Sequence, residues 1–249
     1  VSGGLAGHAL NVVPAKTVDL MVPAEAEVVI EGFVDTEYLE PEAPFGESHG
    51  HVNLQEYNAY MNITAITRRK DAVITSWVSQ VTPSESSAIK RPAYEAAQME
   101  HLRDHLGIKG VKHVSTHEPL TSLHKLIIIQ FEQGVPRTEI WRSLYGVASL
   151  RRAEGKWIIA VDEDIDPVNM FEVLWAMSTR CDPVEDIDFI RNAWSGPLDP
   201  LLPKGVRTNS RAIVDACRPF SRIDDFPPVA RSSDALRAKV REKFKDIIN

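Results

Sequence analysis

The chain has very little cysteine: Cys181 and Cys217 are the only two in 249 residues. Two lone thiols provide neither the disulfide framework of a small secreted domain nor the ligand spacing of a metal site, so they favour a reducing compartment. The sequence begins at Val1 rather than Met and has no recognisable signal peptide. These features predict a cytoplasmic protein.

Long hydrophobic runs and an excess of positive charge are also missing. No apolar run approaches the ~20 residues that a membrane-spanning helix needs. With 28 Lys and Arg against 35 Asp and Glu, the net charge is −7, which argues against a nucleic-acid surface. What is present is an ordinary globular composition, 43% hydrophobic and 25% charged. We therefore expect one or two domains, with neither a nucleic-acid partner nor an integral membrane segment.

The most informative segment is residues 41–50, which places Glu42 and Glu47 five positions apart. Pro44 and Gly46 lie between them and disfavour a helix. Fully extended, five residues would separate the two carboxylates by roughly 17 Å. A turn through residues 44–46 would instead bring both into one pocket, where like charges separate their pKa values and suit one of them for proton transfer. A polar surface loop is the alternative interpretation.

The first third of the chain is typical of β-structure. Short apolar or alternating runs, bounded by Pro, Gly and polar residues, predict strands at residues 12–13, 17–22, 27–34, 57–65 and 72–78. Residues 68–71 form a polar turn, so we expect the last two strands to pair as a hairpin. The pattern indicates a β-barrel or a sandwich with little helix.

The pattern changes near residue 83. Ser84 is a good helix cap, and the helix formers of residues 94–106 end at Gly107. Beyond them we predict strands at residues 111–116, 125–131 and 157–161, helices at 136–150 and 167–179, a mostly irregular stretch at 195–230 and a C-terminal helix at 233–248. Because a helix separates the strands at 125–131 and 157–161, these two should be parallel.

Three blocks in one order carry a family resemblance. Residues 22–32, followed by 42–47, are similar to the first signature of the UbiD family of decarboxylases, with Ala43 where the family usually has Gly. Residues 161–167 and 173–183 resemble the second signature, and residues 213–219 are a weaker third match. The resemblance covers essentially the whole chain.

The resemblance implies a fold of the α+β or α/β class. Residues 1–83 would be part of a split β-barrel flavin-binding domain, residues 84–205 an α/β oligomerisation domain, and residues 206–249 an irregular tail with the C-terminal helix. A further N-terminal domain and the first part of the barrel precede this region in the family. The chain therefore resembles the C-terminal half of a UbiD-like enzyme.

The implied activity is the reversible, non-oxidative decarboxylation of an aromatic or α,β-unsaturated carboxylic acid with prenylated FMN. The intact enzyme would also hold a divalent metal (Mn or Mg) and a potassium ion, whose protein ligands lie upstream in the family. A homo-oligomer, dimer or hexamer, is expected. The family's catalytic arginine and metal ligands are missing from this chain, so a non-catalytic assembly or regulatory module remains the alternative.

Site residues follow from the same resemblance. Glu42 and Glu47 take the places of the catalytic glutamates, with Glu47 as the proton donor. The cofactor-binding candidates are Ser79, Ser86, Arg151 and Arg152, and the substrate-pocket candidates are Ser48, His49, Trp194, Gly196 and Leu198. The two serines could instead cap a helix. The two arginines could instead be exposed to solvent without a binding role.

Two metal-like motifs do not predict metal sites. Asp162, Asp164 and Asp166 begin like a calcium loop, but Pro167 replaces the required Gly. They fit a strand end and helix start better. The spacing of His101 and His105 lacks the glutamate of a zinc protease and is typical of a solvated helix face.

Overall fold

The computed structural model describes residues 2–42, 44–47, 50–54, 56–116, 125–152, 154–196, 199–245 and 247. It has a mixed α+β fold, as predicted, with a β-rich N-terminal part and an α/β part built on a five-stranded sheet. No helix in these ranges is both long and apolar enough to cross a membrane.

The β-rich part consists of a short helix and eight strands. These are α1 (Ser2–Ala6), β1 (Val12–Pro14), β2 (Met21–Pro23), β3 (Val28–Val34), β4 (Glu40–Glu42), β5 (Phe45–Gly46), β6 (Val52–Asn53), β7 (Glu56–Asn58) and β8 (Met61–Arg68). They form four separate antiparallel ladders, β1–β2, β3–β8, β4–β7 and β5–β6.

The predicted hairpin between residues 57–65 and 72–78 is wrong. β8 pairs instead with β3, from Val28 opposite Arg68 to Val34 opposite Met61, and residues 72–78 join no strand. The Glu27 carboxylate accepts hydrogen bonds from the Val73 backbone N–H at 2.9 Å and from Arg69 at 3.1 Å. These contacts tie the segment after β8 to the start of β3. The local alternation of residues 72–78 could not reveal that this distant strand was the partner.

The α/β part contains the remaining elements. They are α2 (Glu85–Glu100) with a π-helical turn (His101–His105), β9 (Val111–Thr116), β10 (Leu126–Phe131), α3 (Arg137–Leu150), β11 (Trp157–Asp162), α4 (Met170–Arg180), β12 (Ile187–Trp194), β13 (Thr208–Asp215) and α5 (Asp234–Lys243). The sheet order is β12-β13-β11-β10-β9. The three central strands are parallel and the two outer strands are antiparallel to them.

The predicted crossover is confirmed. β10 and β11 are parallel, with Leu126 opposite Trp157, and α3 lies between them in the chain. Both faces of β10 are buried, because Ile127 belongs to the core cluster with α3 and Ile128 to the cluster with α4. A strand that is buried on both faces needs a nearly continuous apolar run. This run made β10 recognisable as a strand from the sequence.

Two strands were missed. β12 was not predicted, and β13 runs through the stretch predicted to be irregular, where it lies between β12 and β11. The first half of β13, from Thr208 to Arg211, is polar, and the only apolar run of the strand is the three buried residues 212–214. Surrounded by Pro and Gly, so short an apolar run gave no strand signal.

Helix boundaries also differ in detail. Ser84 caps α2 as predicted, accepting a hydrogen bond from the Ser87 N–H. However, α2 begins at Glu85, nine residues before the predicted start at residue 94, and it includes Pro92. The helical segment ends before Gly107, whose φ of +66° favours glycine, as expected.

Burial divides the molecule into two unequal parts. Every buried apolar side chain that the structure describes lies at Leu102 or beyond. In the β3–β8 ladder, by contrast, the cross-strand pair Ile30 and Ile66 is 53% and 60% exposed. The β-rich part thus carries an apolar sheet surface that no other described part of the chain covers.

Candidate active site

The two candidate catalytic glutamates lie on one β-hairpin, residues 40–58, which we call the acid hairpin. β4 pairs with β7 so that Glu42 faces Glu56, and β5 pairs with β6 in the same register, with Gly46 opposite Val52. The anticipated turn through residues 44–46 is not formed, because Phe45–Gly46 is strand. The tip comes later, where the Glu47 carbonyl accepts a hydrogen bond from the Gly50 N–H.

The tip of the acid hairpin rests on the segment before α2. A Cβ at position 46 would overlap the Ser79 carbonyl oxygen, and one at position 50 would lie 2.7 Å from the Val81 Cα. Gly50 also has a φ of +85°. Both positions therefore require glycine, since any side chain would push the hairpin tip away from Ser79 and Val81.

The contact between the hairpin tip and the segment before α2 brings three predicted site residues together. Glu47, next to Gly46, is half-buried, and the Ser79 hydroxyl donates to the Ser86 hydroxyl at 3.1 Å. Ser86 is also 3.1 Å from the hydroxyl of the helix cap Ser84. The serines therefore belong to the capping network of α2 and at the same time lie beside the hairpin tip.

Glu42 lies further down the hairpin and is exposed. Its carboxylate accepts a hydrogen bond from the Asn58 side-chain amide. Across the strand, Glu56 is 3.7 Å from the Lys204 Nζ, which links the hairpin to the loop at residues 195–205. Ser48, His49 and Leu198 lie outside the described residues.

A second cluster lies at the amino-terminal edge of the central sheet. Leu126, Trp157 and Ala212 are register partners, so the residues just before them, Lys125, Lys156 and Arg211, form one row across three strands. We call these three residues the basic row. Side chains of one sign this close together require a counter-charge.

Asp199 supplies that counter-charge. Its carboxylate accepts hydrogen bonds from Lys156 at 3.1 Å, Ser195 at 2.9 Å and Asn209 at 3.2 Å, and lies 3.9 Å from the Lys125 Nζ. Burial alone would raise the pKa of Asp199, but these hydrogen bonds outweigh it and hold the pKa well below its usual value. Burial also lowers the pKa of Lys125.

The predicted arginines and Trp194 meet beside the basic row. The Arg151 guanidinium lies over the Tyr94 ring at 4.9 Å, and that of Arg152 over the Trp194 ring at 5.9 Å. Arg211 donates to the Arg151 and Trp194 carbonyl oxygens at 3.2 and 3.3 Å. Gly196 lies two residues after Trp194, and its carbonyl oxygen accepts a hydrogen bond from the Asp199 N–H. Two groups predicted separately from the sequence are thus neighbours.

Sequence reasoning missed the basic row and Asp199. Two lysines, each directly before an apolar strand, were a usable signal, because parallel strands place such residues at the same edge of a sheet. Arg211 could not be found in this way, because β13 itself was not predicted.

The basic row fits the phosphate of a flavin nucleotide better than the acid hairpin does. With Arg151 and Arg152 the row brings together five cations and two carboxylates, Asp199 and Glu154, which lies 3.6 Å from Arg151. Arg211 is buried and donates to backbone carbonyl oxygens, so the lysines, Arg151 and Arg152 are the groups that suit phosphate oxygens. No group of three or more His, Cys, Asp or Glu in the described part of the chain is arranged to hold a metal ion.

The chain matches two family profiles in succession. Residues 1–81 match the 3-octaprenyl-4-hydroxybenzoate carboxy-lyase Rift-related domain, and residues 90–216 match the C-terminal domain of the same carboxy-lyase. The chain therefore belongs to the UbiD family, whose members include carboxy-lyases.

Solved structures agree with this assignment. The UbiD-class enzyme HmfF from Pelotomaculum thermopropionicum, in complex with FMN, superposes with a TM-score of 0.76 at 26% identity, covering 97% of this chain and 51% of that one. Vanillic acid decarboxylase from Sedimentibacter hydroxybenzoicus, in its closed form, shares the fold with a TM-score of 0.73 at 24% identity, covering 98% and 52%.

A curated relative, an uncharacterised protein from Archaeoglobus fulgidus, is 26% identical over 207 residues, which is 80% of this chain and 40% of that protein. The chain spans about half the length of the solved structures and less of this relative.

Proposed function

We propose that this chain takes part in the reversible, non-oxidative decarboxylation of an aromatic or α,β-unsaturated carboxylic acid with prenylated FMN, as part of a longer UbiD-like enzyme. The observation that carries the proposal is the position of Glu47: a half-buried carboxyl group at a hairpin tip that glycines hold against Ser79 and Val81. Membership of the UbiD family and the fold shared with an FMN complex support it.

In this proposal each cluster has one task. Glu47 gives a proton to the substrate carbon that loses CO2 and takes it back in the reverse direction. Glu42 contributes negative charge near the same hairpin, the basic row and its neighbouring arginines hold the cofactor phosphate, and the Trp194 ring packs against the substrate. Prenylated FMN, when bound, supplies the electron sink for the departing carboxylate. The divalent metal and potassium ion would be held by residues outside this chain.

The uncovered β-sheet surface supports a site completed by further polypeptide. Ile30, Ile63 and Ile66 are all more than half exposed on the β3–β8 ladder, and exposed apolar patches of this kind mark contact surfaces. On α4, Phe171 is 88% exposed and Leu174 is also exposed, which supports the proposed homo-oligomer.

The function can be tested on the complete reading frame that contains this chain, produced in cells that make prenylated FMN. We expect release of CO2 from at least one acid in a panel of aromatic and α,β-unsaturated carboxylic acids, together with exchange of deuterium into the decarboxylated product. If the loaded protein shows neither reaction across the panel, the proposal is wrong and the non-catalytic assembly module becomes the better assignment.

The cofactor contact can be tested without measuring activity. Arg151→Glu and Arg152→Glu, made separately, each replace an attractive charge by a repulsive one beside the basic row, and we expect at least one to lower the flavin content of the purified protein. Arg142→Glu, on an exposed face of α3 where Arg142 pairs with Glu139, is the control. Full retention of flavin by both variants would remove both arginines from the site.

A further inference from the structure

A cavity lies at the carboxyl-terminal edge of the central sheet, the edge opposite the basic row. It has a volume of about 330 Å³ and is lined by residues that follow β13, by the first turn of α3 and by the segment before β12. Ligands of open α/β sheets bind outside the carboxyl ends of the strands. We call it the carboxyl-edge cavity.

Two of its three arginines, Arg180 and Arg218, pair with carboxylates that lie behind the cavity. Arg180 donates to Asp162 at 2.9 Å and makes two hydrogen bonds to Asp164. Arg218 donates to Asp162 through its backbone N–H at 2.7 Å and through Nε at 3.2 Å. Asp162 and Asp164 therefore belong to an ion-pair network behind the cavity, which accounts for the motif that resembles a calcium loop.

The third arginine, Arg137, lies near two carboxylates but donates a hydrogen bond to only one of them. Arg137 donates to Asp186 at 2.7 Å, while its Nε lies 4.0 Å from the Asp215 Oδ2, too far for a hydrogen bond. Asp215 is only 7% exposed. Its Oδ1 accepts the Cys217 N–H at 3.0 Å, and the Cys217 thiol is only a weak donor.

The charge balance of the region matches this geometry. Its three guanidinium groups are matched by four carboxylates: Asp186 and Asp215 line the cavity, and Asp162 and Asp164 pair with Arg180 and Arg218 behind it. Burial raises the pKa of Asp215 to about 6, although the hydrogen bond from Cys217 opposes the shift. At neutral pH Asp215 is a largely buried carboxylate that lines the cavity, and its Oδ2 receives no hydrogen bond from Arg137.

We propose that the carboxyl-edge cavity binds a small primary ammonium compound with an apolar body, whose ammonium group pairs with Asp215. An ammonium group would supply a positive charge and hydrogen-bond donors directly to the Asp215 Oδ2, which Arg137 does not reach. Ile140, Pro219 and Phe220 also line the cavity and give the body an apolar wall. An anionic ligand would instead add to an excess of negative charge.

This site is separate from the basic row. β11 begins directly after Lys156 at one edge and ends at Asp162 at the other, so six residue steps separate Lys156 from Asp162 by roughly 20 Å. The inference therefore does not depend on the proposed decarboxylation, and either can fail without the other.

The test uses three ligands of similar shape and different charge: benzylammonium, benzyl alcohol and benzoate. Binding to the full chain near neutral pH would be followed by NMR chemical-shift changes of the residues that line the carboxyl-edge cavity, so that benzoate bound at the proposed decarboxylation site is not counted. We expect saturable binding of benzylammonium, with benzyl alcohol and benzoate at least about tenfold weaker. Because this comparison uses the unaltered protein, it does not depend on a variant folding correctly.

A variant then locates the site. Asp215→Asn keeps the shape and the acceptor for Cys217 but removes the charge, so it should weaken benzylammonium binding by about tenfold or more. Asp104→Asn, at an exposed carboxylate on the π-helical turn, should leave it unchanged. Equal binding of the alcohol, tighter binding of benzoate, no binding, or full affinity in Asp215→Asn would each overturn the proposal.

Discussion

Glu47→Gln is expected to lower the decarboxylation rate of the complete enzyme by about 10²–10⁴-fold, the usual contribution of a general acid or base. The amide keeps the shape and much of the hydrogen bonding of the carboxyl group but cannot give up and regain a proton. Because the hairpin tip is held by close backbone contacts at Gly46 and Gly50, the substitution should not displace it. The measurements are CO2 release and deuterium exchange at the substrate carbon, which should fall together.

The acid hairpin provides its own control. Glu56 lies opposite Glu42 on the paired strand and contacts Lys204 at the surface, so Glu56→Gln removes one charge from the same hairpin without touching its tip. We expect little change in rate for Glu56→Gln and an intermediate loss for Glu42→Gln. Near-normal decarboxylation by Glu47→Gln with flavin bound would show that Glu47 is not the proton donor.

The parts of the fold that sequence reasoning recovered are those determined by local pattern. β10 is apolar at every position except Gln130 because both of its faces are buried, and α3 shows helical spacing because one side of it packs on the sheet. Such periodicities record which side of an element is covered. The glutamates of the acid hairpin were found because a family signature includes them.

The parts that sequence reasoning missed depend on contacts between distant residues. β8 pairs with β3 across the whole acid hairpin, and nothing in residues 57–78 distinguishes this partner from a nearer one. The basic row exists only because β10, β11 and β13 share a register. Arg211 could not be recognised as part of it until β13 was known to be a strand.

Asp199→Asn should be the most damaging single change for stability among the site residues. Asp199 is 3% exposed and lies 2.9 Å from the Lys156 Nζ and 3.9 Å from the Lys125 Nζ, so the amide would remove a counter-charge that both lysines share. Breaking a fully buried pair costs about 3–5 kcal/mol. Both lysines remain about a quarter exposed, and solvent reduces that cost, so we expect a loss of about 2–3 kcal/mol, or roughly 5–10 °C in Tm.

The pH dependence and a double variant identify the cause. Because the folded protein holds the pKa of Asp199 below its ordinary value of 3.8, its stabilisation is present above that pH and is lost as the pH falls below it. The difference in Tm between the unaltered protein and Asp199→Asn should therefore shrink as the pH drops below about 4. Lys156→Gln combined with Asp199→Asn should recover part of the loss, since Lys156 is the lysine that pairs with Asp199 most closely. A loss that is constant with pH and additive in the double variant would show that Asp199 acts through packing rather than charge. The basic row would then have no need of an internal anion.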